Sequence, residues 1–227
     1  MKTIFTWYGH ATLGVQTGEY SLLIDPFFSG NSQTKQDPEK LDADYILITH
    51  GHGDHVGDAP KIARRTGATI IANAEISTWF SKQGFKTHGQ HIGGGVHHPF
   101  GYLKMTCALH GSALPDGSYG GNPGGFLLTT LDGKRLYMAG DTGLFGDMQL
   151  IGDEGLDLAV IPIGDNYTMG PDDALRAVKL LRPGVVVPIH FNTFPVIRQD
   201  AAAWVERVNT NTTSKAVLLQ PGESLEV

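Results

Sequence analysis

The chain has 227 residues, 41% of them hydrophobic and 18% charged, with a formal net charge of −6. That makeup is ordinary for a soluble globular protein and ample for a real core, in one large domain or two small ones. The absence of any run of about 18 apolar residues excludes a membrane-spanning helix, the single cysteine, Cys107, excludes an intramolecular disulfide, and the lack of a basic run or Lys/Arg stripe argues against nucleic-acid binding.

The opening residues 4–8 alternate in polarity. They read as a first strand and not as a signal peptide, which needs a longer apolar core and a small-residue cleavage site. A cytoplasmic location is the default expectation. Residues 12–17 and Tyr20–Ile24 follow as closely spaced strands with Gly turns, and residues 45–49 as a further strand. Asp58-Ala59-Pro60 opens a helix, with Asp as N-cap and Pro in the first turn. A short strand is expected at 69–72 and a helix at 75–83, ended by Gly84. The second half starts with a strand at 102–109, then a Gly-rich loop from Gly111 to Gly125. Strands at 126–130 and 135–139 make a hairpin around Asp132-Gly133, a strong turn signal. A helix near 145–151, a strand at 158–161 and a helix at 172–181 come next. The β-branched strand Val185–Ile189, a helix at 201–208 and a strand at 216–219 close the chain. In both halves strands lead and helices alternate later. The pattern supports an α+β fold: two mixed sheets packed together with helices outside, a four-layer αββα sandwich.

The densest chemistry is His50-Gly51-His52-Gly53-Asp54-His55, directly after the apolar run 44–49. Buried parallel strands deliver ligands and catalytic groups at their C-terminal ends. Imidazole and carboxylate suit zinc, manganese, iron or nickel, and Gly51 and Gly53 permit tight backbone angles that let side chains converge. The bland alternative is a polar loop with incidental histidines. Three more ligand-type residues sit just past apolar strands: His110 after 105–109, Asp141 after 136–139, and His190 after Val185–Ile189. Four such exits point to one shared rim. Taken singly, His110 reads as a surface-loop histidine, Asp141 as a turn or helix cap, and His190 as a hydrogen-bonded core histidine.

The H-x-H-x-D-H pattern resembles the signature of the metallo-β-lactamase superfamily of binuclear metal hydrolases. Tyr8-Gly9-His10-Ala11-Thr12, Gly140-Asp141-Thr142, the stretch from Asn166 to Pro171 and the stretch from Pro188 to Pro195 look like one branch of it. That branch is the UPF0173 metal-dependent hydrolases, similar to ascorbate-6-phosphate lactonases and more distantly to N-acylphosphatidylethanolamine phospholipase D. The resemblance implies the same sandwich in one domain over 1–227. It implies two divalent ions, Zn, Mn, Ni or Fe: His50, His52 and His110 would hold the first, and Asp54, His55 and His190 the second, with Asp141 bridging. A histidine triad leaves an open position for water, and a second ion about 3.5–4 Å away lets one hydroxide bridge both. Asp54 and His10 are the expected catalytic residues, His10 lining the site or orienting a ligand; a satisfied structural histidine is the other reading of His10.

The activity expected is hydrolysis of an ester, lactone or phosphodiester in a small molecule. The alternatives are a redox protein and a non-catalytic regulatory protein on the same fold. Redox relatives typically carry Glu at the position of His52 and need a flavin domain that has no room here, and a complete ligand set argues against lost chemistry. Homo-oligomers are implied by the related lactonases. The Gly111–Gly125 loop reads as a substrate cover or a flexible turn, and Asn166, Tyr167, Asn192 and Thr193 as substrate contacts or turn residues. Arg198 alone is near the motif loops, so no phosphate clamp is evident. His88, His91, His97 and His98 are expected at the surface, and Cys107 as a small buried hydrophobe.

Overall fold

Alternation sets the first strand. In Ile4–Trp7 (β1), Phe5 and Trp7 point inward and are buried, while Ile4 and Thr6 are half-buried. The computed structural model, which describes residues 2–227, carries this through two seven-stranded sheets. The first sheet adds Leu13–Thr17 (β2), Tyr20–Ile24 (β3), Tyr45–Leu47 (β4), Thr69–Asn73 (β5) and Thr87–Gln90 (β6). The second holds Gly95–His98 (β7), Gly101–Cys107 (β8), Gly124–Thr130 (β9), Arg135–Met138 (β10), Leu158–Pro162 (β11), Val185–Ile189 (β12) and Lys215–Ala216 (β13). The last strand, Ser224–Glu226 (β14), returns to pair with β1. The strand orders are β14-β1-β2-β3-β4-β5-β6 and β13-β12-β11-β10-β9-β8-β7. Each sheet is antiparallel at one side and parallel at the other.

The parallel strands read as continuous apolar runs because both their faces are covered. In β4 and just beyond, Leu47 packs between the sheets while Ile46 and Ile48 pack on the other side, under Ala59–Thr66 (α2) and Ala74–Ser81 (α3). Phe5, Trp7, Leu103, Phe126 and Tyr137 fill the space between the sheets. On the far side Met148 of Met148–Gly152 (α4), Ala174, Val178 and Leu181 of Pro171–Leu181 (α5), and Trp204 and Val208 of Ala201–Asn211 (α6) cover the second sheet. The layers are therefore αββα, as expected.

Four local differences have physical causes. The strands β6 and β7, with sequences THGQ and GVHH, carry no apolar run and lie at sheet edges, where pairing needs none. His88 and His98 are therefore half-buried rather than loop residues; their rings pack 4.9 Å apart, and His98 stacks on Phe100. Asp58 stands at the N-cap of α2 as expected, but its side chain makes no capping bond: its carboxylate accepts from Phe28 N, Ser29 N and Ser29 Oγ, tying the β3 exit loop to the helix start. Cys107 ends β8 and is half-buried, not buried.

Candidate metal centre

The motif loop leaves β4 through Ile48 and Thr49, and a short helix, Gly53–Val56 (α1), turns Asp54 and His55 back toward the sheets. Gly51 and Gly53 do not serve through unusual backbone angles; neither has a positive φ. A Cβ at Gly51 would stand 3.1 Å from Ala113 O, so its role is close approach of the Gly111–Gly125 loop, while Gly53 meets nothing. Gly51 N donates to Ser112 Oγ, which donates to Gly120 O. Asn73 Nδ2 donates to Gly120 O and Asn122 O, and Leu114 is buried in the core beneath α2 and α3. The loop is thus fastened down beside the centre.

Strands from both sheets supply the remaining donors. His110 follows β8, Asp141 follows β10, and His190 follows β12. His10 follows β1 on the other sheet, and His190 N donates to His10 O at 3.0 Å, joining the two exits. Both residues hold positive φ, 53° and 55°, as does Asp25 at 47°. Left-handed backbone at non-glycine residues costs on the order of 1–3 kcal/mol each and clusters at functional sites.

The donors fall into two groups. His50 Nε2 lies 2.9 Å and His110 Nε2 3.3 Å from His52 Nδ1. Separately, the donor atoms of His10, Asp54, His55 and His190 lie within 4.8 Å of one another. Asp141 Oδ2 touches both groups, 3.0 Å from His190 Nε2, 3.4 Å from His55 Nε2 and 3.6 Å from His110 Nε2. All eight side chains named for this site in the sequence therefore meet at one rim.

Hydrogen bonding tests whether these residues suit a cation. Asp25 Oδ1 accepts from Thr49 N at 2.8 Å, and Oδ2 accepts from Thr49 Oγ1 at 2.6 Å and from His55 Nδ1 at 2.8 Å. Because the Thr49 proton goes to Asp25, its hydroxyl accepts from His50 Nδ1, 3.0 Å away. Both histidines are thereby fixed with Nδ1 toward the support and Nε2 toward the centre, the arrangement typical of metal-ligating histidines. His55 Nε2 and Asp141 Oδ1 are buried without a hydrogen-bond partner. A buried unsatisfied polar atom costs about 1–3 kcal/mol, more if charged. Nitrogen lone pairs and carboxylates converging without donors fit a divalent cation.

Electrostatics agree. Burial opposes ionisation of Asp141, yet His190 and His55 hold it well below the usual carboxylate range. Burial likewise pulls His55 down, but Asp141 and Asp25 together hold it well above the ordinary histidine value. Burial pushes His50 well down, and His10 to about 4 although the Asp54 carboxylate beside it opposes the shift. Asp25 and Asp141 thus flank His55 on both sides of its ring, 2.8 Å from Nδ1 and 3.4 Å from Nε2.

Three supporting residues escaped the sequence reading. Asp25 had a usable signal, since it directly follows the buried end of β3 just as His110 follows β8. Thr49 and Gln33 had none. Of the four expected substrate contacts, Tyr167 and Asn166 are exposed on the loop after β11, Asn192 Oδ1 accepts from Gln199 N, and Thr193 turns inward to His10.

A family model described as a beta-lactamase superfamily domain matches residues 20–191. The chain is similar to a UPF0173 metal-dependent hydrolase of Heliobacterium modesticaldum, 48% identical over 228 residues, covering 97% of this chain and 95% of the relative. A second, from Desulforamulus reducens, is 49% identical over 230 residues, with 98% and 99% covered. Among solved structures, a metallo hydrolase from the hyperthermophilic archaeon Ignicoccus hospitalis superposes with a TM-score of 0.92 at 38% identity, covering 100% of this chain and 99% of that one.

Proposed function

This chain belongs to the UPF0173 metal-dependent hydrolases of the β-lactamase superfamily, and from that premise we propose a binuclear hydrolase acting on an ester, lactone or phosphodiester bond of a small molecule. The supporting observation is the position of Asp141 Oδ2, within 3.0–3.6 Å of His190, His55 and His110 and so in contact with both donor groups. His50, His52 and His110 would hold one ion, Asp54, His55 and His190 the other, and Asp141 both. Zn, Mn, Ni and Fe all suit this donor set. Such ions, when bound, lower the pKa of water to near neutrality and polarise a carbonyl or phosphoryl oxygen.

The chain's own residues do the rest. Asp25 and Thr49 orient His50 and His55. Asp54 has 30% of its side chain exposed, so it reaches the substrate side, and despite burial the neighbouring imidazoles of His10 and His55 hold it ionised well below the carboxylate range. It orients the attacking water and accepts its proton. Leu109 and Tyr167, exposed on loops that meet at Thr142, offer apolar contact to the substrate. The proposal extends to one domain over 1–227, a cytoplasmic location and self-association; among the described residues no helix is long and apolar enough to cross a membrane.

Elemental analysis of protein grown with supplemented metal tests this, alongside a screen of lactone, ester and phosphodiester substrates. Two ions per chain and metal-dependent turnover of one substrate class are expected. One tightly bound ion, or none, contradicts the binuclear site, and a monomer at micromolar concentration by light scattering contradicts self-association.

A further inference from the structure

His10 belongs by position to the second donor group, yet the seven-ligand set leaves it out. Its hydrogen bonds decide its role. Gln33 has its amide orientation fixed by two backbone groups: Nε2 donates to Phe191 O at 2.8 Å, and Oε1 accepts from His10 N at 2.7 Å. Thr193 Oγ1 lies 3.0 Å from that same Oε1, which can only accept, so the hydroxyl donates to it. The hydroxyl is then an acceptor for His10 Nδ1, 2.9 Å away. Nδ1 therefore carries the proton, and Nε2 presents a lone pair. That lone pair faces Asp54 Oδ2 at 3.0 Å, an acceptor against an acceptor. The logic repeats that at His50, where the Thr49 hydroxyl donates to Asp25 and accepts from Nδ1. The residue is fully buried and held at φ 53°, so its ring has no alternative partner in solvent.

We propose that His10 Nε2 is a further donor to the second cation, with Gln33 and Thr193 as the positioning residues that fix its tautomer. The inference rests on the binuclear reading and adds to it. With His10, the second position gathers three imidazoles beside Asp54 and the shared Asp141. Five donors exceed what a tetrahedral ion accepts. The second position then selects an ion of higher coordination number, such as Mn²⁺, over four-coordinate Zn²⁺.

The test is Mn²⁺ titration of the metal-stripped full chain, followed by calorimetry and electron paramagnetic resonance. Wild type, His10→Ala and Thr193→Val are compared, the last being close to isosteric and so a safeguard should His10→Ala fail to fold. Wild type should bind two equivalents. His10→Ala should keep the first and weaken the second at least about 100-fold, and Thr193→Val should weaken the second about 10–100-fold with the first within two-fold. Histidine ¹⁵N spectra of the Zn²⁺-loaded wild type should show His10 protonated at Nδ1 alone. Two equivalents in wild type with unchanged second affinity in both variants overturn this inference while leaving the binuclear reading intact, as does a proton on His10 Nε2 in the loaded protein. Fewer than two equivalents in wild type overturns both.

Discussion

Replacing Asp25 with Asn exchanges one acceptor for a donor and leaves the backbone undisturbed. Asp25 sits at φ 47°, a left-handed conformation that Asn also adopts readily. If the Asn carbonyl keeps the bond from Thr49 N, its amide nitrogen replaces Oδ2, which accepts from Thr49 Oγ1 and His55 Nδ1. The new N–H donates to His55 Nδ1 and moves the ring proton to Nε2. The Thr49 hydroxyl, now an acceptor for the amide, turns its proton to His50 Nδ1, and that ring inverts too. One substitution thus places the wrong tautomer in both donor groups. Loss of such a supporting partner typically costs 10–100-fold in metal affinity, or about 1.4–2.8 kcal/mol per ion. Calorimetric titration of the stripped protein with Mn²⁺ should show both equivalents weakened by about that factor. The stripped protein should also lose on the order of 2 kcal/mol in urea unfolding, through loss of charge-assisted hydrogen bonds. Two binding constants within two-fold of wild type would refute the tautomer reasoning.

Asp54→Ala should abolish hydrolysis while circular dichroism and melting show a retained fold; near-wild-type turnover excludes the role given to Asp54. Because Asp141 and Asp25 raise His55 above its ordinary 6.5, a cation must displace that proton, so loading should release about one proton per chain near pH 7 and strengthen as pH rises. Calorimetry in buffers of different ionisation enthalpy measures it, and no net release would count against His55 as a donor. The raised value has a second consequence: the stabilisation from charged His55 in the stripped protein is full below about pH 6.5 and lost as pH rises through the folded value. Gly57 holds φ +36° with Pro26 O 2.5 Å from where a Cβ would sit, so Gly57→Ala should cost about 2–4 kcal/mol in urea unfolding by displacing the loop that follows Asp25. A loss under about 0.5 kcal/mol would mean that this loop yields freely.

Legibility in the sequence followed the range of each interaction. His50, His52, Asp54 and His55 lie within six residues of the chain, and His110, Asp141 and His190 each follow an apolar strand, so a local rule was enough to place all seven at one rim. The layering was legible for the same reason: the runs at β4, β11 and β12 are apolar and, but for the first residues of β4 and β12, buried. The edge strands β6 and β7 were illegible because their pairing rests on backbone hydrogen bonds and not on apolar side chains. Asp58 takes the N-cap position its local sequence suggests, but the use of its carboxylate was not legible, because its three donors come from the distant Phe28–Ser29 turn. Gln33 and Thr193 are 160 positions apart and meet only after both sheets close, so no spacing rule joins them. The choice for His10 between lining the site and being a satisfied structural histidine turned on the same closure, through His190 N and Thr193.

The most direct measurement is turnover of the screened substrate as Mn²⁺ is titrated into chelator-stripped protein from zero to two equivalents, near pH 7.5. A binuclear hydrolase with Asp141 spanning both donor groups requires both ions. Hydrolysis should therefore be absent in the stripped chain, stay low through the first equivalent and rise with the second. Excess chelator should abolish it again, and a serine-reactive inhibitor should leave it untouched. Full turnover in protein verified to be metal-free, or complete activity at one equivalent with no gain at two, would contradict it.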